Sequence, residues 1–292
     1  MGGGGIRAAT PDDVPAIRAI LAAHGNDDPP GERRGPDVVG PYVAHLLAHH
    51  RGLVHEAPDG VAAFGFVVDT GRSFMLADLF VRPDRLGEGI GRPLLDALFE
   101  GCTPRATLAS DDPRALPLYA RAGLVPLWPS FYLQADAAVA ARAGDHARAH
   151  GLEAAAADPA TFPALERAWT GVGRETDHPF WASMPGADPF VVLDADGPVA
   201  LGYGRDRQTG PGARALDRLV IRPGVAPISP ALAALARAAA RGTTIDLCLP
   251  GPNPALRVLL DLGVRVVDRD LYMAGPVDLV DPVRLAPNSG ML

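Results

Sequence analysis

The alternation of apolar and polar positions over the first half of the chain resolves into short strands and amphipathic helices. Strands are predicted near 5–9, 52–57, 61–69, 73–81, 105–109 and 125–134, with helices near 11–24, 38–50, 90–101 and 113–122. Thr10 followed by Asp13 reads as the capped start of the first helix, and Gly123 as the stop of the fourth. The order is strand, one or two helices, three mostly antiparallel strands, helix, strand, helix, strand. That order specifies an α/β chain of the α+β kind, with a mixed, mostly antiparallel twisted sheet flanked by helices.

The pattern then repeats. Val81-Arg82-Pro83 is echoed 140 residues on by Ile221-Arg222-Pro223, and Ala115 and Gly123 by Ala255 and Gly263. At the same shift Phe131-Tyr132-Leu133 becomes Leu271-Tyr272-Met273. Echoes in constant register point to a duplication. The expected division is a first domain over 1–136, an Ala-rich linker over 137–150 with the composition of a short helix, and a second domain over 151–292.

Chemistry concentrates where the strand ending at Val81 meets the helix opening near 90. Between them run Pro83, Asp84, Arg85, Leu86, Gly87, Glu88, Gly89, Ile90, Gly91 and Arg92. Alternating glycines allow a sharp turn with bare N–H groups, and the helix start adds its positive dipole end, so the segment suits a phosphate or pyrophosphate. A P-loop is excluded because no Lys-Ser or Lys-Thr follows. A dinucleotide fingerprint is the second reading, with Asp111 lying 20 residues past Gly91 as the ribose acid. Against it, Arg92 stands where the third glycine belongs, and the glycines begin several residues after the strand.

In the third reading, Val81-Arg82-Pro83 followed by Gly87-Glu88-Gly89-Ile90-Gly91 resembles the acetyl-coenzyme A loop of the GNAT N-acetyltransferase superfamily. That pattern runs Val-x-Pro, [QR]-G-x-G-[IL]-[GA], helix; here Leu86 takes the [QR] place and Arg85 precedes it. The resemblance continues over Asp112-Pro113-Arg114-Ala115-Leu116-Pro117-Leu118-Tyr119-Ala120-Arg121-Ala122-Gly123-Leu124, with Asp112 in the place of the family's Asn and Tyr119 matching its Tyr. It implies two tandem GNAT-like domains. At the matching positions the second carries Pro227-Ile228-Ser229-Pro230-Ala231 and, opposite Tyr119, Leu259. It has lost the glycines and the proton donor, and is expected to be a degenerate scaffold.

The resemblance further implies acetyl-coenzyme A as acyl donor and direct attack by an amine. The loop residues 85–92 and Asp112 would hold the donor, N–H groups near Phe80 and Val81 would polarise the thioester, and Tyr119 would protonate the departing thiolate. Asp78, just before the loop, is the expected general base; Glu56, Asp177 and His178 are further candidates. Tyr42 and His45 lie on a helix that would border the acceptor. His45 and His49 share a helix face at i, i+4, but no H-E-x-x-H motif or third ligand accompanies them, so no metal is expected.

Composition narrows the partners. The 292 residues are 48% hydrophobic, with a net charge of −7 and no basic cluster, which disfavours nucleic acid and favours a small amine. No apolar run reaches the length of a membrane span, and Met1-Gly2-Gly3-Gly4-Gly5 carries no secretory signal. With Cys102 and Cys248 as the two cysteines, a cytoplasmic protein without disulfides is expected, as monomer or homodimer. No G-x-S-x-G elbow occurs. The alternative to an N-acetyltransferase is a non-catalytic acyl-coenzyme A sensor using the same loop.

Overall fold

The computed structural model describes residues 5–29, 31–275, 279–288 and 290–291; the lead-in Met1–Gly4 lies outside them. By mutual contacts the chain divides into two units. One comprises Met1–Pro126 with Met273–Leu279 and Gly290–Leu292, the other Leu127–Tyr272 with Val280–Ser289.

The first unit runs β1 (Ile6–Ala8), α1 (Val14–Ala23), α2 (Val39–His49), β2 (Arg51–Ala57), β3 (Gly60–Asp69), β4 (Phe74–Val81), α3 (Gly91–Leu98), β5 (Arg105–Ala109) and α4 (Ala115–Arg121). β1 to β4 pair antiparallel in sequence order, and β5 joins β4 in parallel after the α3 crossover. α1 turns Ile17, Ile20 and Leu21 into the core, and α3 turns in Leu94, Leu95 and Leu98, the i, i+3, i+4 spacing of one helix face. α3 lies close on β3: a Cβ on Gly65 would stand 2.5 Å from Leu98 Cδ1 and 2.9 Å from the Asp78 carbonyl oxygen.

β6 (Val125–Asp136) and α5 (Ala137–Ala149) follow, and the units change within β6, between Pro126 and Leu127. β6 pairs antiparallel with β11 (Thr244–Pro250) from Ser130 to Asp136, so its backbone is satisfied in the second unit. The stretch expected as a linker is α5, capped by Asp136, whose side chain accepts the Val139 N–H. Its face of Val139, Ala140, Ala143 and Ala147 is buried in the second unit's core. Small residues there let α5 approach its neighbour closely, which a tether would not require.

The rest of the second unit repeats the first. β7 (Glu153–Ala156), α6 (Phe162–Thr170), α7 (Asp177–Ser183), β8 (Asp188–Asp194), β9 (Gly197–Asp206), β10 (Ala213–Ile221) and α8 (Ile228–Ala239) lead to β11, then α9 (Ala255–Asp261), β12 (Arg265–Gly275) and β13 (Leu285–Ala286). β7 to β10 are antiparallel neighbours and β10 pairs in parallel with β11. Cys102 and Cys248 are both buried, and burial raises both thiols, that of Cys248 to about 12, as inert core residues require.

A charged cluster is buried inside the second unit. Arg218 Nη2 donates to Glu166 Oε1, and His178 Nε2 lies 2.8 Å from Glu166 Oε2. Burial keeps His178 below its usual range, and its Nδ1 lies 2.9 Å from the Tyr203 hydroxyl. Glu166 is 3% exposed; burial works to raise it, but the Arg218 charge and His178 hold it ionised, well below the usual range. Glu166→Ala is expected to cost about 3–5 kcal/mol, because it removes the carboxylate of a buried ion pair; the denaturant midpoint measures this. No helix among the described residues is long and apolar enough to cross a membrane.

Candidate active site

The site is built on a fault in the first unit's sheet. β3 and β4 pair from Ala63↔Val81 to Asp69↔Phe74, but Phe66 faces Asp78 while Val67 faces Leu76, leaving Ala77 as a bulge. A bulge bends its strand and raises the twist. On its other side β4 pairs with β5 only from Phe74 to Leu76 against Arg105–Thr107. Past Leu76 the two parallel strands share no ladder, and a slot opens between them.

The ladder decides which groups face the slot. Arg82 N–H donates to the Ala62 carbonyl at 2.8 Å, so in the antiparallel alternation Phe80/Phe64 is the next hydrogen-bonded pair. Leu79 and Val81 fall between, and their N–H and C=O groups turn toward the slot. Near Phe80 and Val81, it is thus the amides of Leu79 and Val81 that face the slot, while that of Phe80 turns to β3. Phe80 contributes its ring, stacked on Phe64 at 5.7 Å.

The slot leads into the glycine loop. After a 3-10 turn at Pro83–Arg85, Gly87 and Gly89 hold φ of 87° and 80°. A Cβ at either would meet nothing within 4 Å, so glycine is required there by conformation, not by crowding. Ile90 is buried, and a Cβ on Gly91 would stand 3.8 Å from Val81 Cγ2 and 4.0 Å from Leu118 Cδ2, which sets the start of α3 between β4 and α4.

The side chains of the loop are engaged with one another. Arg82 and Arg85 share Asp59, at 2.5 and 2.8 Å; Arg85 also reaches Glu88 at 3.4 Å, and Arg92 pairs with Asp96 at 2.8 Å. Such exposed pairs contribute little and are readily exchanged for another anion. Leu86 is exposed and adds no polar group. The donors that remain directed by the fold are the main-chain amides.

Asp112 accepts the Arg114 N–H at 2.8 Å and pairs with its guanidinium at 2.6 Å. α4 begins at Ala115, two residues later than the sequence predicts, and Pro117 thereby falls in the first turn, where its missing N–H costs nothing. Tyr119 is 8% exposed, at the middle of this helix.

Asp78 is half-buried and accepts a 2.7 Å hydrogen bond from the Tyr42 hydroxyl. Burial raises its carboxyl to about 6, against the lowering effect of Tyr42. Tyr42 is itself held well above its usual range by burial and the Asp78 charge, so it stays a donor. The Gly290 carbonyl lies 3.4 Å from the same hydroxyl, and a Cβ on Gly290 would stand 2.7 Å from it.

His24 and Gly290 were missed by sequence reasoning. His24 ends α1, where nothing in its neighbourhood marks it, yet its Nε2 lies 2.9 Å from the Val81 carbonyl. A carbonyl only accepts, so Nε2 carries the proton. Glu56 is tied to Arg7 at 2.9 Å, and Asp177 and His178 belong to the second unit, Asp177 accepting from Arg174 Nε at 2.6 Å. His45 is buried and His49 exposed, with ring centroids 4.9 Å apart.

No family model and no curated protein matches the sequence. Solved structures match along its whole length. A provisionally described acetyltransferase from Pyrococcus horikoshii covers 100% of this chain and 95% of its own at TM-score 0.71 and 15% identity. A tandem GNAT protein from the clavulanic acid biosynthesis pathway covers 95% and 100% at TM-score 0.63 and 15% identity. A GCN5-related N-acetyltransferase from Sphaerobacter thermophilus covers 99% and 98% at TM-score 0.58 and 16% identity. The class these define is the GNAT acetyltransferase fold, and the chain has that fold in tandem.

Proposed function

We propose that the first unit transfers an acetyl group from acetyl-coenzyme A to the primary amine of a small molecule. One observation carries this reading: the slot between β4 and β5, faced by the main-chain groups of Leu79 and Val81, ends at a loop that Gly87 and Gly89 hold in left-handed backbone. An extended, amide-bearing arm fits such a slot as an added strand would, and a pyrophosphate fits amides at a helix start.

In the reaction, Asp78 takes a proton from the amine, whose nitrogen forms a bond to the thioester carbon. The amides of Leu79 and Val81 stabilise negative charge on the carbonyl oxygen. The carbon–sulfur bond breaks, and Tyr119 gives its proton to the thiolate. Tyr42 positions Asp78. The net charge of −7 favours a cationic acceptor.

An amine panel scored by free thiol release tests the activity. Tyr119→Phe is expected to lower kcat by ~10²-fold or more with acetyl-coenzyme A affinity retained. A chain that binds the donor, releases no thiol with any amine of the panel and is indifferent to Tyr119→Phe would be the non-catalytic sensor instead.

A further inference from the structure

The second unit keeps the slot and fills it with its own chain. β10 carries the same bulge, with Asp217 unpaired between Leu216 and Arg218, 140 residues beyond Ala77. It pairs with β11 only from Ala213 to Leu216 against Thr244–Leu247. Past that point β13 lies antiparallel on β10, with Leu219↔Ala286 and Val220↔Leu285. Ile221, the counterpart of Val81, donates its N–H to the Arg284 carbonyl at 2.9 Å. The slot-facing positions of the first unit are thus the ones paired here.

Side chains hold the segment along its length. Asn253, at the head of α9 as Asp112 is at the head of α4, points Nδ2 at the carbonyls of Pro282 and Val283, 3.4 and 3.2 Å away. The Asp281 carboxylate accepts the Val283 N–H at 3.1 Å, and Ala286 is 1% exposed. At the loop the polarity is reversed. Arg284 Nη1 donates to the carbonyls of Arg222 and Val225, each at 2.9 Å. A loop that turns carbonyls to a cation is unsuited to a pyrophosphate.

We propose that residues 281–286 are an internal ligand of the second unit, seated in the slot that in the first unit is shaped for the amide-bearing arm of an acyl donor. Being tethered, the segment has a high effective concentration and meets no bimolecular cost. The second unit is closed to acyl donors by occupancy, in addition to its lost glycines. This rests on reading the first unit's slot as the acyl-donor site and goes beyond the activity proposed there.

The test uses the full chain and S-acetylpantetheine, a probe with the arm and no nucleotide, followed by NMR at amides specific to each unit. In the wild type the probe leaves Leu219 and Ile221 unmoved. In the double variant Arg284→Ala, Ala286→Glu, which unseats the segment, both amides shift on saturation. Shifts in both proteins, or in neither, overturn the proposal. Leu79 and Val81 report separately on the first unit: no shift there sinks the acyl-donor reading, whereas a shift there with none in the second unit of the variant sinks this one alone. If the variant does not fold, hydrogen exchange of the wild type decides. The Ile221 amide is expected to be protected within about tenfold of its Arg222 neighbour, which donates to Val199 at 2.8 Å. Exchange at the rate of an unpaired amide overturns the proposal.

Discussion

Gly89→Glu is expected to abolish the stabilisation that acetyl-coenzyme A confers. Ligand at 100 times its dissociation constant adds ~2.7 kcal/mol through a single site, read as a rise in Tm. Gly89 holds φ at 80°, a region that costs a side chain ~1–2 kcal/mol, and the new carboxylate would face an anionic ligand. Both effects act against binding. Ser229→Glu, at the matching position in the second unit, lies inside the first turn of α8 and is expected to keep the full gain. Equal responses of the two variants would remove the loop from the binding site.

Asp78→Asn is expected to lower kcat/KM by ~10²–10⁴-fold, the range for loss of a general base. The pH profile identifies the group. Asp78 is raised to about 6, so the rate should climb as pH rises through about 6 and level off above it, and the variant should lose that limb. Tyr42→Phe removes the hydrogen bond that favours the carboxylate, so its limb should move to higher pH. Stability runs the other way. A carboxyl raised above its unfolded value contributes stability at low pH and loses it as pH rises from 3.8, its ordinary value, through about 6. Thermal unfolding across that window should flatten in Asp78→Asn. A limb unchanged in both variants would assign the proton transfer to another group.

The elements of the first unit were legible because local signals agreed. β2 to β5 fall within a residue or so of the predicted strands, since each apolar run ends at a glycine, a proline or a polar turn. The glycine loop was legible for the same reason, and so was its loss in the second copy. α4 starts at Ala115, past Pro113, because Pro117 lacks an N–H and is accommodated in the first turn. Which amides near Phe80 and Val81 face the slot was not legible, because strand alternation fixes that only once the partner strand and its bulge are known.

The sequence by itself determined that the chain is a duplicated α/β fold and that one copy keeps a glycine turn that the other has lost. Those properties follow from residues close together in the chain, where dihedral preference and side-chain size act directly. Tertiary structure alone decided that β6 pairs in the second unit, that Tyr42 reaches Asp78 across 36 residues, and that the segment at 281–286 lies in the slot of β10. Each depends on unpaired backbone or a buried polar atom finding a partner far along the chain, and no local pattern encodes which partner it finds.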